Sequence, residues 1–262
     1  MPAQISHLLA GTAALKAALP SDCERILASH GPCFALGCQG PDIFYHNQRT
    51  RPLSVLYGSL VHRRGADMLC QAMATAGFGE GPASAWGAYT LGFITHVFLD
   101  RACHPFIVYH SGWVMAGRPE TASYRSCHPM LERVLDVLAW ERSCGLPVSA
   151  FRQQRTLCPA WSAMPSFAER LALALRGAYR SRAASDADLR ARMANAFTDS
   201  CYFYEHTDPS DTSMDGRGSR EYAYPFAELG FRSVSLVYPE GFERSMDWAN
   251  EEHRTWLHPC EP

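Results

Sequence analysis

Gly87–His104 reads GAYTLGFITHVFLDRACH, with Pro105 and Phe106 following. The stretch is mostly apolar, yet it carries His96, Asp100 and His104. Residues four apart on a helix lie one above the other on nearly the same face. Each such step rises about 6 Å, at roughly 1.5 Å per residue. A helix here therefore aligns imidazole, carboxylate and imidazole along one stripe. Pro105 disfavours helical backbone at the residue before it, so the helix is expected to end at His104, where the chain turns away. Further on, HPMLERVLD carries His128, Glu132 and Asp136, again four apart. Two helices that each present such ligands on an inner face can enclose metal in a bundle core.

A lone His beside an acid is usually a satisfied core pair. Two His-x-x-x-acid sets, with two further candidate His upstream, ask for more. Burying several ionisable groups together is costly unless they are paired or ligated, and these sit among Leu, Phe and Val. Zinc suits the mixture, because it takes imidazole nitrogens and carboxylate oxygens. Other divalent ions share these ligand preferences.

Composition narrows the class. Apolar residues make 47% of the 262, ordinary for a globular chain with a sizeable core. A net charge of −2 gives no bulk drive toward nucleic acid or anionic membrane. Lys16 is the only lysine, a compositional bias rather than a function. The ten cysteines are scattered, with no CxxC pair, so a zinc ribbon or a thioredoxin-like site is not expected. Cys103 and Cys127 each directly precede a candidate ligand His and are expected to pack behind it. The N-terminus, MPAQISHLLAGTAAL, has no charged n-region followed by an apolar stretch and a cleavage site. Ala83–Leu99 is the one long apolar run, and it is too short for a membrane span. The expectation is a cytoplasmic protein without a transmembrane segment.

Along the chain, His7–Leu19 is periodic and closed by Pro20, and Cys23–His30 is a short helix broken by Gly31-Pro32. Phe34–Tyr45, FALGCQGPDIFY, is punctuated by Gly and Pro and is expected to be partly loop. It delivers Asp42 into apolar company, where a carboxylate needs a polar partner or a task. Leu53–Ala76 is helical in pattern and contains His62. Val148–Met164 reads as irregular, Ser166–Arg180 as an amphipathic helix, and Asp188–Phe197 as a helix capped by Ser185-Asp186. Thr198–Tyr224 is polar and reads as a surface loop. Phe231–Tyr238 is the longest segment with strand periodicity. The composite is an all-α, single-domain helical bundle over 1–262, with a multinuclear metal site in its core.

With these residues in hand, the chain resembles the zinc-dependent phospholipase C family, whose larger superfamily also contains the S1/P1-type nucleases. The motifs are His7, LGCQGPD with Asp42, GSLVHR with His62, THVFLD with His96 and Asp100, CHP with His104, and HPMLE with His128 and Glu132. They occur in the family's order over about the first half. The resemblance implies that His62, His96 and Asp100 hold one zinc, and that His104, His128 and Glu132 hold a second. Asp100 would bridge to a third, which His7 helps to bind. Two zinc ions, or three, are therefore the expected cofactors. Asp42 matches the family's acid that orients or deprotonates the attacking water. The implied activity is metal-dependent phosphodiester hydrolysis of a phospholipid or related small molecule.

Two departures from the family accompany the match. In its secreted phospholipases a processed N-terminal Trp ligates the third zinc; here Met1 or Pro2 would have to serve. The interval from Asp100 to His104 is also shorter than in the secreted enzymes, although one helical turn keeps the stripe. Phe44, Tyr45, His46 and Phe106, and beyond them His110 and Trp113, are candidates to face substrate. An S1/P1-type nuclease or 3′-nucleotidase would share the metals but calls for base stacking and basic character. The charge balance carries no such nucleic-acid signal. A non-catalytic metal-binding helical protein is the third reading.

Overall fold

Ser84 starts the helix that carries His96. Its hydroxyl oxygen accepts the backbone N–H of Gly87 at 3.0 Å, satisfying one of the first-turn donors that no helix can pair internally. In the computed structural model, which describes residues 4–77, 79–158, 163–211, 238–239, 241–260 and 262, this helix runs Ala85–Ser111. It does not end at His104. Pro105 and Arg101 both lie on the exposed side, so the Arg101 carbonyl that loses its amide partner faces water, and the helix continues.

Among the described residues there are eleven α-helices and no strand. In chain order they are α1 (Gln4–Ala18), α2 (Pro20–Gly37), α3 (Ile43–His46), α4 (Val55–Arg63), α5 (Ala66–Ala76), α6 (Ala85–Ser111), α7 (Cys127–Cys144), α8 (Gln153–Leu157), α9 (Met164–Ala178), α10 (Arg180–Ala183) and α11 (Leu189–His206). The all-helical expectation is met. None of the described helices is long and apolar enough to cross a membrane. The segment Phe231–Tyr238 lies outside the described residues except for Tyr238.

The chain divides into two compact units. One comprises His7–Phe98 and Gln154–Glu205. Its centre is aromatic: Trp86, Tyr89, Phe167 and Phe197 interlock, with the Tyr89 ring 5.2 Å from Phe167 and 5.7 Å from Phe197. Amphipathic α9 supplies Phe167, Leu171 and Leu175 at four-residue spacing. Gly31-Pro32 appears as a kink rather than a break, with His30 at φ −138° inside α2. Past the kink, α2 runs against α6 so closely that a Cβ on Gly92 would overlap the Phe34 carbonyl. That approach brings the end of α2, and Cys38 after it, beside His96.

Of the surface loop expected over Thr198–Tyr224, the first part is helix, because α11 continues to His206, and residues 212–224 lie outside the described residues. Asp199 and Ser200 on α11 face inward. The buried Asp199 carboxylate accepts Asn47 Nδ2 at 2.9 Å, the Arg49 and Thr50 amides at 2.8 and 2.9 Å, and the Thr50 hydroxyl at 2.8 Å. Ser200 donates to the Ile43 carbonyl at 3.2 Å. Leu53–Ala76 resolves into α4 and α5, separated at Gly65, whose φ of +75° starts the second helix.

The other unit comprises Met1–Ser6, Leu99–Gln153 and His206–Pro262. Ile107, Leu131, Val134, Trp248 and Cys260 form its core, with Phe106, Leu138, Phe242 and Trp256 packed against them. Asp136, one turn beyond Glu132 on α7, is fully buried and accepts the Ile5 and Ser6 amides at 2.9 and 2.7 Å. It caps the first turn of α1, where a carboxylate meets both orphan donors and the positive end of the helix dipole.

Candidate metal centre

The first unit brings His7, Asp42, His62 and His96 together. A 3₁₀ turn, Gly40–Asp42, carries the acid, while α4 and α6 carry His62 and His96. His62 Nε2 lies 3.0 Å from Asp42 Oδ1, and His96 Nε2 lies 3.5 Å from Asp42 Oδ2. The His7 ring stacks on His96 with centroids 3.9 Å apart. Gly40 has φ +53°, and a Cβ there would overlap the His96 ring, so the motif's second glycine makes room for the imidazole.

The far side of each ring decides what the near side can do. His96 Nδ1 lies 3.0 Å from the Cys38 carbonyl, and His62 Nδ1 lies 2.7 Å from the Gly58 carbonyl. A carbonyl only accepts, so both Nδ1 atoms carry hydrogen, and each ring when neutral aims an Nε2 lone pair at Asp42. Burial, reinforced by the neighbouring His7, holds the His96 imidazole well below its ordinary pKa, although Asp42 opposes the shift. Burial alone would raise the Asp42 carboxyl, but His96 and His62 hold it below the usual carboxylate range. Two nitrogen lone pairs and a carboxylate thus meet away from water. His96 Nε2 and Asp42 Oδ2 are both shielded and make no hydrogen bond. Such a set calls for a cation among the ligand atoms, which lie within 4.8 Å of one another. Backbone carbonyls fixing the outer nitrogen of a ligating His are the usual support of a metal site. The residues fit zinc in ligand type and span.

The second unit holds Asp100, His104, His128 and Glu132. His128 Nε2 lies 3.0 Å from Glu132 Oε1, and His104 Nε2 lies 3.2 Å from Asp100 Oδ1 and 3.9 Å from Glu132 Oε1. The ligand atoms of His104, His128 and Glu132 also lie within 4.8 Å of one another. Burial would raise the Glu132 carboxyl, and nearby positive charge, His128 included, holds it lower. The Asp100–His104 and His128–Glu132 spacings therefore place their side chains together, as helical periodicity requires.

The remaining candidates divide. Tyr45 stands beside His62, with ring centroids 5.2 Å apart. Phe44 and His46 are core side chains; His46 packs on Phe203 at 4.2 Å, with Nδ1 3.2 Å from the Ser200 hydroxyl. Phe106 packs in its unit's core and His110 is buried beside it, while Trp113 projects into solvent beyond α6. Sequence reasoning missed the supporting shell: the Cys38 and Gly58 carbonyls, Gly40, and the α11 residues that hold the chain after Asp42. Only Gly40 carried a signal, as a glycine pinned before Pro-Asp. Cys38, fully buried, has its thiol pushed up to about 12, which keeps it protonated behind the site.

No curated protein and no solved structure matches the chain. A family model described as zinc dependent phospholipase C matches residues 1–185. That segment contains every ligand candidate named above and most of the helices that hold them, so the chain belongs to the zinc-dependent phospholipase C family.

Proposed function

We propose that the protein is a zinc-dependent phosphodiester hydrolase of phospholipase C type, acting on a phospholipid or related phosphodiester. The observation that carries the reading is the Asp42–His62–His96 set, whose two imidazoles are locked from behind so that their Nε2 atoms face one carboxylate. His62 and His96 would hold one ion, with His7 as a further ligand, and Asp100, His104, His128 and Glu132 a second. Zinc bound there supplies a lowered water pKa and neutralises charge on phosphoryl oxygens. The chain's own residues do the rest. Asp42, kept ionised by its neighbours, accepts a proton or a hydrogen bond from the attacking water at a carboxylate oxygen. The Cys38 and Gly58 carbonyls prevent either imidazole from rotating away. The reading includes an intracellular setting, where the ten cysteines would stay reduced.

The test is a pair of variants assayed on phosphatidylcholine and on nucleotide substrates, with metal content measured by elemental analysis. Asp42→Asn is expected to keep fold and most metal and to lose about 10²–10⁴-fold in turnover. His96→Ala is expected to lose metal and activity together. Wild-type turnover by Asp42→Asn would remove its assigned role, and cleavage of nucleotides alone would move the substrate to the nuclease side.

A further inference from the structure

Beyond His104, α6 ends in a surface of unusual composition. Tyr109 is 70% exposed, and the loop after the helix, between Gly112 and Gly117, exposes Trp113 at 67%, Val114 at 40% and Met115 at 49%. The C-terminal segment adds to the same surface. The Cys260 amide donates to the His110 carbonyl at 3.0 Å, and Trp256 lies on His110 with ring centroids 4.0 Å apart. Between those two anchors Leu257 is 99% exposed. A Cβ on Gly112 would meet Pro259 at 2.6 Å, so the loop and the tail adjoin. Single exposed apolar residues need no explanation, but five in one neighbourhood mark an interaction surface.

The loop is built to hold its shape. The Met115 amide donates to the Thr121 hydroxyl at 2.9 Å, and the Arg118 amide to the Met115 carbonyl at 3.1 Å. Trp and Tyr with aliphatic neighbours are the residues that settle at a membrane–water interface, one end apolar and one end wet. The flanking charges are of both signs: Arg118, Glu120 and Arg125 are exposed, and Arg254 pairs with Glu252. That balance does not select a strongly anionic partner. Tyr109 lies five residues beyond His104 on the same helix, a rise of roughly 8 Å.

We propose that Tyr109, Trp113, Val114, Met115 and Leu257 form an interfacial docking surface for a zwitterionic phospholipid bilayer. The inference rests on the phospholipase reading for its choice of partner. Docking there would set the second metal-ligand group near the headgroup layer, with the apolar side chains reaching the acyl boundary.

The experiment is flotation of the full-length protein with phosphatidylcholine vesicles, beside hydrolysis of a monomeric short-chain phosphatidylcholine. The wild type is expected to float with the vesicles, and high salt to change this little. Met115→Asp combined with Leu257→Asp is expected to weaken vesicle partition roughly tenfold or more. It should cleave the monomeric substrate at the wild-type rate. A wild type that stays in solution, or a double variant that floats equally, overturns the proposal. So does an effect of the double variant confined to self-association. Vesicle binding that the double variant abolishes, without hydrolysis of any lipid by either protein, supports the docking surface and removes the phospholipase reading.

Discussion

Gly40→Ala tests the site through its backbone. At φ +53° a residue with a Cβ sits in left-handed space, at a cost of about 1–2 kcal/mol. The added methyl would also overlap Cγ and Cδ2 of His96. His96 has little room to retreat: its Nδ1 is tied to the Cys38 carbonyl at 3.0 Å, and the His7 ring covers one face at 3.9 Å. Overpacking of this kind costs about 1–3 kcal/mol. The sum, roughly 2–5 kcal/mol, is a large part of the 5–15 kcal/mol that typically holds a protein folded. Urea unfolding should show the loss, and elemental analysis a fall in bound zinc as His96 is pushed off its position. Gly31→Ala is the control, because a Cβ there meets nothing within 4 Å. Gly40→Ala with stability within about 0.5 kcal/mol of wild type and unchanged zinc would refute the reasoning.

Two further expectations follow from carboxylate contacts in the same unit. Asp199→Ala leaves four donors without their acceptor and should cost roughly 3–5 kcal/mol in urea unfolding, with Asp199→Asn less severe. Asp186 accepts the Tyr57 hydroxyl at 2.7 Å and Arg192 Nε at 2.9 Å; burial pushes its carboxyl up, but these partners hold it below the ordinary value. A depressed carboxyl contributes stability above its unfolded pKa, near about 4, and loses that contribution as pH falls through its folded value. The destabilisation by Asp186→Asn, measured by urea unfolding, should therefore be full at neutral pH and shrink in acid; a penalty constant with pH would contradict the assignment.

The helical class and the two His-x-x-x-acid pairs were legible because both depend on local periodicity. The pairing of His96 with Asp42 was not, since nothing in a spacing of that length states that α2 and α6 touch. Pro105 misled in one direction and Asp199 in the other. The rule for a residue before proline disfavours helix, but an exposed carbonyl on α6 has water as its alternative partner. Polar composition after Thr198 read as surface, yet Asp199 and Ser200 are buried because they satisfy backbone groups of the segment around Asp42. Asp136 kept the four-residue spacing of HPMLERVLD without joining the ligand group, its carboxylate being occupied by the amides that begin α1. Periodicity records which side chains share a face and is silent on what that face meets.

The order in which the units are threaded bears on how the molecule is made. One unit takes its parts from two stretches of chain and the other from three, each interrupted by the other. A ribosome that has released the first 185 residues, the length matched by the family, has completed neither: α11 is missing from one and the residues after His206 from the other. Asp42, His62 and His96 would already be outside the exit tunnel, with Asp199 and Ser200 still to be joined. Non-local closure of this kind slows folding and prolongs the exposure of apolar surface. Neither unit can be excised as one uninterrupted fragment, so dissection of the molecule calls for circular permutation or co-expressed pieces rather than truncation.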